Sequence, residues 1–244
     1  MRNIKLIIQY DGTRYSGWQF QRNARSVQGE AEKALKGLFG ARIVLKGAGR
    51  TDAGVHALGQ VANFMTRSAL ETYKIKKALN NTLPGDIVIS DVMEAPLGFD
   101  SQHDSRAKIY RYTIVNNEAL NPILRHYSSL VSYSLDLKKM RRAAEYLVGR
   151  HDFRAFQASG ASKGDTRRTI KHIDIKKAGD IIIIEIEADG FLYNMVRSII
   201  GTLVEVGRGK MAAERVSDIL RSKDRRRAGP TAPAKGLCLM EVRY

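Results

Sequence analysis

Apolar and polar positions change period several times along this chain, and each change marks an element. Ile4, Leu6 and Ile8 lead up to Tyr10 in a β-rich alternation, and Asp11-Gly12 follows as a turn signal. Val27, Ala31, Ala34, Leu35, Leu38 and Phe39 then recur at helical spacing behind Ser26, a residue suited to cap a first turn. Arg42 to Lys46 reads as a strand, Gly47 to Ala57 as a glycine-rich loop, and Gln60 to Thr66 as a further strand. A helix near Tyr73 to Asn81 ends at Leu83-Pro84-Gly85, after which Asp86 to Met93 returns to strand character.

The same alphabet recurs further on. Lys108 to Val115 alternates as a strand, and Asp136 opens an amphipathic helix over Leu137 to Val148. Strands Ile170 to Lys176 and Ile181 to Ala188 flank a Gly179-Asp180 hairpin turn. Helices over Leu192 to Val206 and Ala212 to Leu220 follow, then a last strand, Leu237 to Val242. Strands and helices mix without strict βαβ alternation, which predicts an α+β fold of two halves with mainly antiparallel sheets. The halves divide near Asp100 to Ala107, giving 1–105 and 106–244.

Composition narrows the class. Of 244 residues, 43% are hydrophobic and 27% charged, enough apolar material to exclude a disordered chain. The longest apolar runs, such as Ile181 to Ile184, fall far short of a membrane span, and few apolar residues precede the first polar turn, so neither a membrane segment nor a secretory leader is expected. One cysteine, Cys238, excludes an internal disulfide, and Leu237-Cys238-Leu239-Met240 reads as core. These bounds point to a reducing, cytoplasmic compartment.

Charge adds a partner. Lys and Arg number 41 against 25 Asp and Glu, a net of +16, and the surplus is uneven. Residues 1–105 carry 14 bases and 10 acids, whereas 106–244 carry 27 and 15. Arg221 to Lys235 alone has six bases and one acid. Such asymmetry predicts a polyanionic partner, nucleic acid first.

The chemistry concentrates in Lys46-Gly47-Ala48-Gly49-Arg50-Thr51-Asp52-Ala53-Gly54-Val55-His56-Ala57. A dinucleotide fingerprint begun at Gly47 and Gly49 would need its third glycine where Asp52 stands, and that carboxylate would repel a pyrophosphate. A P-loop from Gly49 to Gly54 would continue with Lys and Ser or Thr, but Val55 and His56 follow. What remains is Asp52, two residues after Arg50 and four before His56. A turn ion pair between Arg50 and Asp52 and a metal site using Asp52 and His56 both fit this spacing, which does not choose between them.

This loop closely resembles the signature of the tRNA pseudouridine synthase A family, and the resemblance spans nearly the whole chain. Tyr10-Asp11-Gly12-Thr13 with Gly17-Trp18-Gln19 is similar to the family's opening, and Arg25-Ser26-Val27-Gln28-Gly29 to the start of its first helix. Asn81-Thr82-Leu83-Pro84-Gly85-Asp86 matches a mid-domain turn, and Lys108-Ile109-Tyr110-Arg111-Tyr112 the second motif. Gly190-Phe191-Leu192-Tyr193-Asn194-Met195-Val196-Arg197 matches the third, and Ala228 to Leu237 resembles the C-terminal loop. Two departures stand out. The family's Ala-Arg pair after a Phe is replaced by Ser101-Gln102 after Phe99-Asp100, removing an expected RNA-facing arginine, and Cys238 occupies a place where an aromatic is common.

The resemblance implies the pseudouridine synthase fold: two similar α/β halves with mainly antiparallel sheets joined across a central basic cleft. It implies an isomerase that detaches uracil from ribose, turns it and rejoins it through carbon 5, with no cofactor and no metal. Asp52 becomes the catalytic nucleophile, and an aspartate suits that role because it is ionised at neutral pH and forms a cleavable ester. Arg197, which borders an apolar helix face with Tyr193, Ile200, Gly201 and Val204, becomes its pairing partner. Tyr110 stacks on the target base, Arg50 fills the space left by the flipped nucleotide, and His56 is structural. Arg14, Arg22, Arg167, Arg168, Arg225, Arg226 and Arg227 are candidate phosphate contacts. The implied substrate is tRNA, at uridines 38 to 40 of the anticodon arm, bound by a homodimer whose two subunits both touch it. The alternatives are a non-catalytic RNA-binding protein and a metal-dependent nuclease using Asp52 and His56. If phosphates meet the surplus charge, log affinity should fall with log salt by roughly 0.7 to 0.9 per phosphate neutralised, measured by titration at several salt concentrations. A flat response would reduce the surplus to a solubility device.

Overall fold

A computed structural model describes residues 1–158 and 164–244. In chain order its principal elements are β1 (Arg2–Tyr10), α1 (Val27–Phe39), β2 (Lys46–Gly47), β3 (His56–Thr66), α2 (Thr72–Thr82), β4 (Ile87–Ala95) and β5 (Ala107–Val115). They continue with β6 (Ser129–Leu130), α3 (Leu137–Glu145), β7 (Gly149–Asp152), β8 (Arg167–Ala178), β9 (Ile181–Ala188), α4 (Met195–Gly207), α5 (Arg215–Ser222) and β10 (Leu237–Arg243). The fold is α+β with mostly antiparallel strand pairing. Two compact units divide it, Met1–Arg106 with Cys238–Tyr244, and Ala107–Leu237. The last strand therefore packs with the first unit, although sequence position places it in the second half.

In the first unit the strand order is β4-β1-β3-β10, with the short β2 on β3. β1 is antiparallel to both β3 and β4, whereas β10 joins β3 in parallel through Cys238 and Leu239 opposite His56 and Ala57. The period-2 pattern of β1 buries Ile4, Leu6 and Ile8 completely. Burial on that scale contributes about 1.5–3 kcal/mol per side chain. Leu35 of α1 and Ile75 and Leu79 of α2 are buried from the helical side. Ser26 caps α1 by accepting from the Gly29 N–H at 3.3 Å, and Gly40 ends the helix in the left-handed conformation.

The segment expected as a strand over Arg42 to Lys46 pairs only at Lys46–Gly47. Side chains of α1 take the backbone groups that a ladder would use: Glu32 Oε1 accepts the Leu45 N–H at 3.0 Å, and Gln28 Nε2 donates to the Leu45 carbonyl at 3.0 Å. The departure at Ser101 is likewise structural here. Ser101 is fully buried, donates its N–H to Asn63 Oδ1 at 2.9 Å and its hydroxyl to the Lys46 carbonyl, and accepts from the Tyr244 hydroxyl at 2.8 Å.

In the second unit the order is β5-β9-β8-β7, antiparallel throughout, with β6 added to β5 in parallel. β9 buries Ile182, Ile184 and Ile186 completely, and α4 buries Ile199, Ile200 and Leu203. α3 stops at Glu145, and a turn over residues 146–148 takes the place of its expected end; Gly149, at φ 104°, then opens β7. α4 starts at Met195 rather than Leu192 because Asn194 sits in the left-handed region at φ 60°.

α4 is approached closely by the C-terminal loop. A Cβ on Gly201 would overlap the Pro230 carbonyl, so Gly201→Ala should destabilise the protein by about 1–3 kcal/mol. Gly37, in the exposed interior of α1, has nothing within 4 Å of an added Cβ, and Gly37→Ala should stabilise by about 0.5–1 kcal/mol. Urea midpoints at unchanged m-value would check both shifts.

Candidate active site

The glycine-rich segment Gly49 to Val55 joins β2 to β3, and backbone bonds fix it on both sides of Asp52. The Thr51 carbonyl accepts from the Trp18 N–H at 3.1 Å, the Asp52 carbonyl from the Val55 N–H at 3.1 Å, and the Gly54 N–H donates to Tyr15 at 3.2 Å. Two glycines of the 11–18 segment permit this approach. A Cβ on Gly12 would overlap the Val55 carbonyl, and one on Gly17, at φ 95°, would meet the Thr51 carbonyl at 2.5 Å.

Beneath the loop lies a buried polar pair from the sheet. Tyr10, at the end of β1, shares a 2.8 Å hydrogen bond with Thr51 Oγ1. Gln60 of β3, fully buried, donates from Nε2 to the Gly49 carbonyl at 2.9 Å and also bonds the Tyr10 side chain. Burial pushes the Tyr10 phenol well above its ordinary range, against the opposing bonds to Thr51 and Gln60, so it remains protonated. Asp52 itself is half-buried at the apex, and Arg50 is exposed. His56 is buried; its Nδ1 accepts the Gly12 N–H at 3.1 Å and lies 3.2 Å from Asp11 Oδ1. Among the described residues no group of three or more His, Cys, Asp or Glu side chains is placed to hold a metal ion.

The second unit places Tyr110 and Arg197. Tyr110 on β5 is largely buried, opposite Ile186 in register, and meets Phe191 edge-on with ring centroids 5.1 Å apart at 89°. Arg197, in the first turn of α4, is half-buried. Its Nε donates to the Ala232 carbonyl at 2.7 Å and its Nη1 to Asn194 Oδ1 at 2.6 Å, while its own carbonyl accepts the Ala232 N–H at 3.0 Å. Left-handed Asn194 thus both delays the helix and orients the arginine. Tyr112, one pleat from Tyr110, donates to the Pro233 carbonyl at 2.9 Å, and burial pushes its phenol up to about 12.

The candidate phosphate contacts separate by their surroundings. Arg22, Arg167 and Arg227 are exposed. Arg14 is exposed but paired with Asp86 at 2.7 Å, and Arg226 grips Asp224 with two of its nitrogens. Arg168 turns Nη1 toward the carbonyls of Asp165 and Arg167. Arg225 is a brace, donating to the Gly229 carbonyl and Thr231 Oγ1 at 2.9 Å each. Tyr10, Thr51 and Gln60 escaped the sequence reading; a glutamine inside the apolar run of β3 was the available signal.

Comparison with known proteins shows the family. A family model described as tRNA pseudouridine synthase matches residues 6–104 and 143–244. The chain is 51% identical over 244 residues to the tRNA pseudouridine synthase A of Acetivibrio thermocellus, covering 100% of both. It is 49% identical over 244 residues to that of a Thermoanaerobacter species, again covering 100% of both, and 48% identical over 245 residues to tRNA pseudouridine synthase A 2 of Clostridium tetani, covering 100% of this chain and 99% of that one. Among solved structures, a Cbf5–Nop10–Gar1 complex aligns over 96% of this chain and 57% of its own, at 11% identity and a TM-score of 0.37.

Loss of the Tyr10 hydroxyl would leave Thr51 Oγ1 buried without that partner. Tyr10→Phe should therefore cost about 1–3 kcal/mol, read as a lowered urea midpoint.

Proposed function

The chain belongs to the tRNA pseudouridine synthase family and isomerises uridine in tRNA, and within that activity we propose that Asp52 is the catalytic nucleophile and that uridines 38 to 40 of the anticodon stem-loop are the targets. The observation that carries the assignment is the construction of the Asp52 loop. Backbone bonds on both sides and a buried Tyr10–Thr51 bond below present one half-buried carboxylate from a rigid segment. Rigid presentation matters because a carboxylate attacking beside a glycosidic bond gains most when it needs no reorganisation.

Tyr110 stacks on the extruded uracil, and its hydroxyl takes part in removing the proton from carbon 5; the edge-on contact with Phe191 supports a ring of fixed orientation. Arg197 is a further site residue, a role supported by the fixed direction that its bonds to the Ala232 carbonyl and Asn194 Oδ1 give its guanidinium. Arg50 fills the space vacated by the flipped nucleotide, as its exposure at the loop allows. Phosphates are met by Arg22, Arg167, Arg168 and Arg227, with Arg14 and Arg226 exchanging present partners for RNA; Arg225 acts by bracing the C-terminal loop. RNA is bound as a shaped object, because the deep groove of an A-form stem hides its base edges.

The enzyme works as a homodimer, a reading supported by exposed Ile123, Tyr127 and Leu130 in one segment of the second unit. Among the described residues no helix is long and apolar enough to cross a membrane. The single cysteine supports work in the reducing cytoplasm.

The test is incubation of purified protein with uridine-containing tRNA and no added metal, followed by a pseudouridine assay. Product should form, and Asp52→Ala should abolish it while tRNA binding stays within about twofold. Turnover by Asp52→Ala would overturn the assignment. Binding without product would leave an RNA-binding protein, and loss of activity with chelator would favour metal chemistry.

A further inference from the structure

Lys108 stands two residues before Tyr110 on β5, so the two side chains leave the same face of the strand about 6.6 Å apart along it. Lys108 lies opposite Ala188, the last residue of β9, where the chain turns through Asp189 and Gly190 toward Phe191, whose ring meets Tyr110. Arg168 of β8 comes to the same corner. An added Cβ on Gly190 would lie 3.3 Å from Arg168 Nε, so the absence of a side chain there lets the guanidinium arm pass.

Among the described residues, the charges that act on Lys108 are one cation, Arg168, and one acid, Asp189. Asp189 is already engaged with the backbone, its Oδ1 accepting the Thr169 N–H at 2.9 Å. Arg168 Nη1 donates to the carbonyls of Asp165 at 2.9 Å and Arg167 at 2.6 Å, which fixes its direction. Lys108 is half-buried; burial, followed by the charge of Arg168, lowers its pKa against the pull of Asp189. Two partly desolvated like charges repel each other, and an anion seated beside both removes that penalty. Lysine and arginine together suit a phosphate, a compact point charge beside a forked donor.

We propose that Lys108 and Arg168 form a clip for a phosphodiester flanking the nucleotide whose base stacks on Tyr110. Base and backbone phosphate are separated by one ribose, and the clip and the tyrosine ring are separated by one strand repeat. The clip rests on the reading of Tyr110 as the base platform. It gives Lys108 a role that the surface arginines do not have: fixing one nucleotide rather than attracting the whole RNA.

The experiment uses stem-loop RNAs carrying the target uridine with natural phosphates, with one neutral methylphosphonate beside the target, or with one at a remote position. Lys108→Ala and Arg168→Ala should each bind the natural RNA about tenfold more weakly, with the log–log salt slope reduced by about 1. Neutralising one of the two flanking phosphates should weaken the wild type by a similar factor and cost either variant nothing further. Neutralising the remote phosphate should affect all three alike, and Lys108→Arg should bind within about twofold of wild type. Wild-type affinity and slope in both alanine variants would overturn the clip, as would equal sensitivity of wild type and variants to both flanking substitutions. A pseudouridine assay on the wild type separates the two readings: no product counts against the isomerase, whereas product with unaltered variant binding counts against the clip alone.

Discussion

The close approach of two backbone segments in the first unit is the constraint on which the site depends. The Asp52 loop can lie on the 11–18 segment only because Gly12 and Gly17 present no Cβ to the carbonyls of Val55 and Thr51. That contact creates the Trp18-to-Thr51 and Gly54-to-Tyr15 bonds, which in turn bring the Thr51 hydroxyl down to Tyr10. Close approach also excludes water from the Tyr10–Thr51–Gln60 cluster, and a buried polar cluster is stabilising only when its members are satisfied. Each bond in the group therefore requires the glycines, and the glycines alone would leave the loop unspecified. The arrangement turns a flexible sequence into a fixed presentation of one carboxylate.

The second unit solves the same problem with different residues. Gly201 and Gly229 allow the C-terminal loop to meet α4 backbone to backbone, and Thr202 Oγ1 accepts the Gly229 N–H at 2.9 Å. This places the Ala232 carbonyl where Arg197 Nε reaches it. Arg225 then ties the loop's beginning through Gly229 and Thr231. An arginine beside the apolar surface of α4 would otherwise extend toward water. Here its direction is determined by a loop some thirty residues later in sequence, so its placement is a tertiary property rather than a helical one.

That distinction separates what was legible in the sequence from what was not. Ser26 announced α1 because a cap acts within three residues, and the alternation of Ile4, Leu6 and Ile8 announced β1 because pleating is local. Arg42 to Lys46 has the composition of a strand, but Gln28 and Glu32 claim its backbone, and no local pattern reveals a competitor from a neighbouring helix. β7 was hidden behind the turn over residues 146–148 and Gly149, whose positive φ opens the strand. Asp52 was visible as an anomaly, yet spacing did not choose between an ion pair and a metal ligand, and the nucleophile role came only with the resemblance. Motif resemblance made that choice. Tyr10, Gln60 and Lys108 look like ordinary strand residues in one dimension and acquire their roles only from what the turns bring beside them.

The same reasoning applies to the charge surplus. A net of +16 describes a long-range field, which raises the rate of encounter with RNA but does not say where RNA is held. Several of the arginines counted in it already have partners: Arg111 with Glu185 at 2.8 Å, Arg14 with Asp86, and Arg226 with Asp224. Exposed pairs of this kind are individually worth about 0–1 kcal/mol, so they open readily to a phosphate and contribute attraction without register. Register needs cations that cannot move away from each other when the ligand is absent. Lys108 and Arg168 meet that condition because β5, β8 and the turn at Gly190 hold them at one corner, half-buried and repelling. Attraction then belongs to the many mobile charges, and position to the few that the fold keeps in conflict.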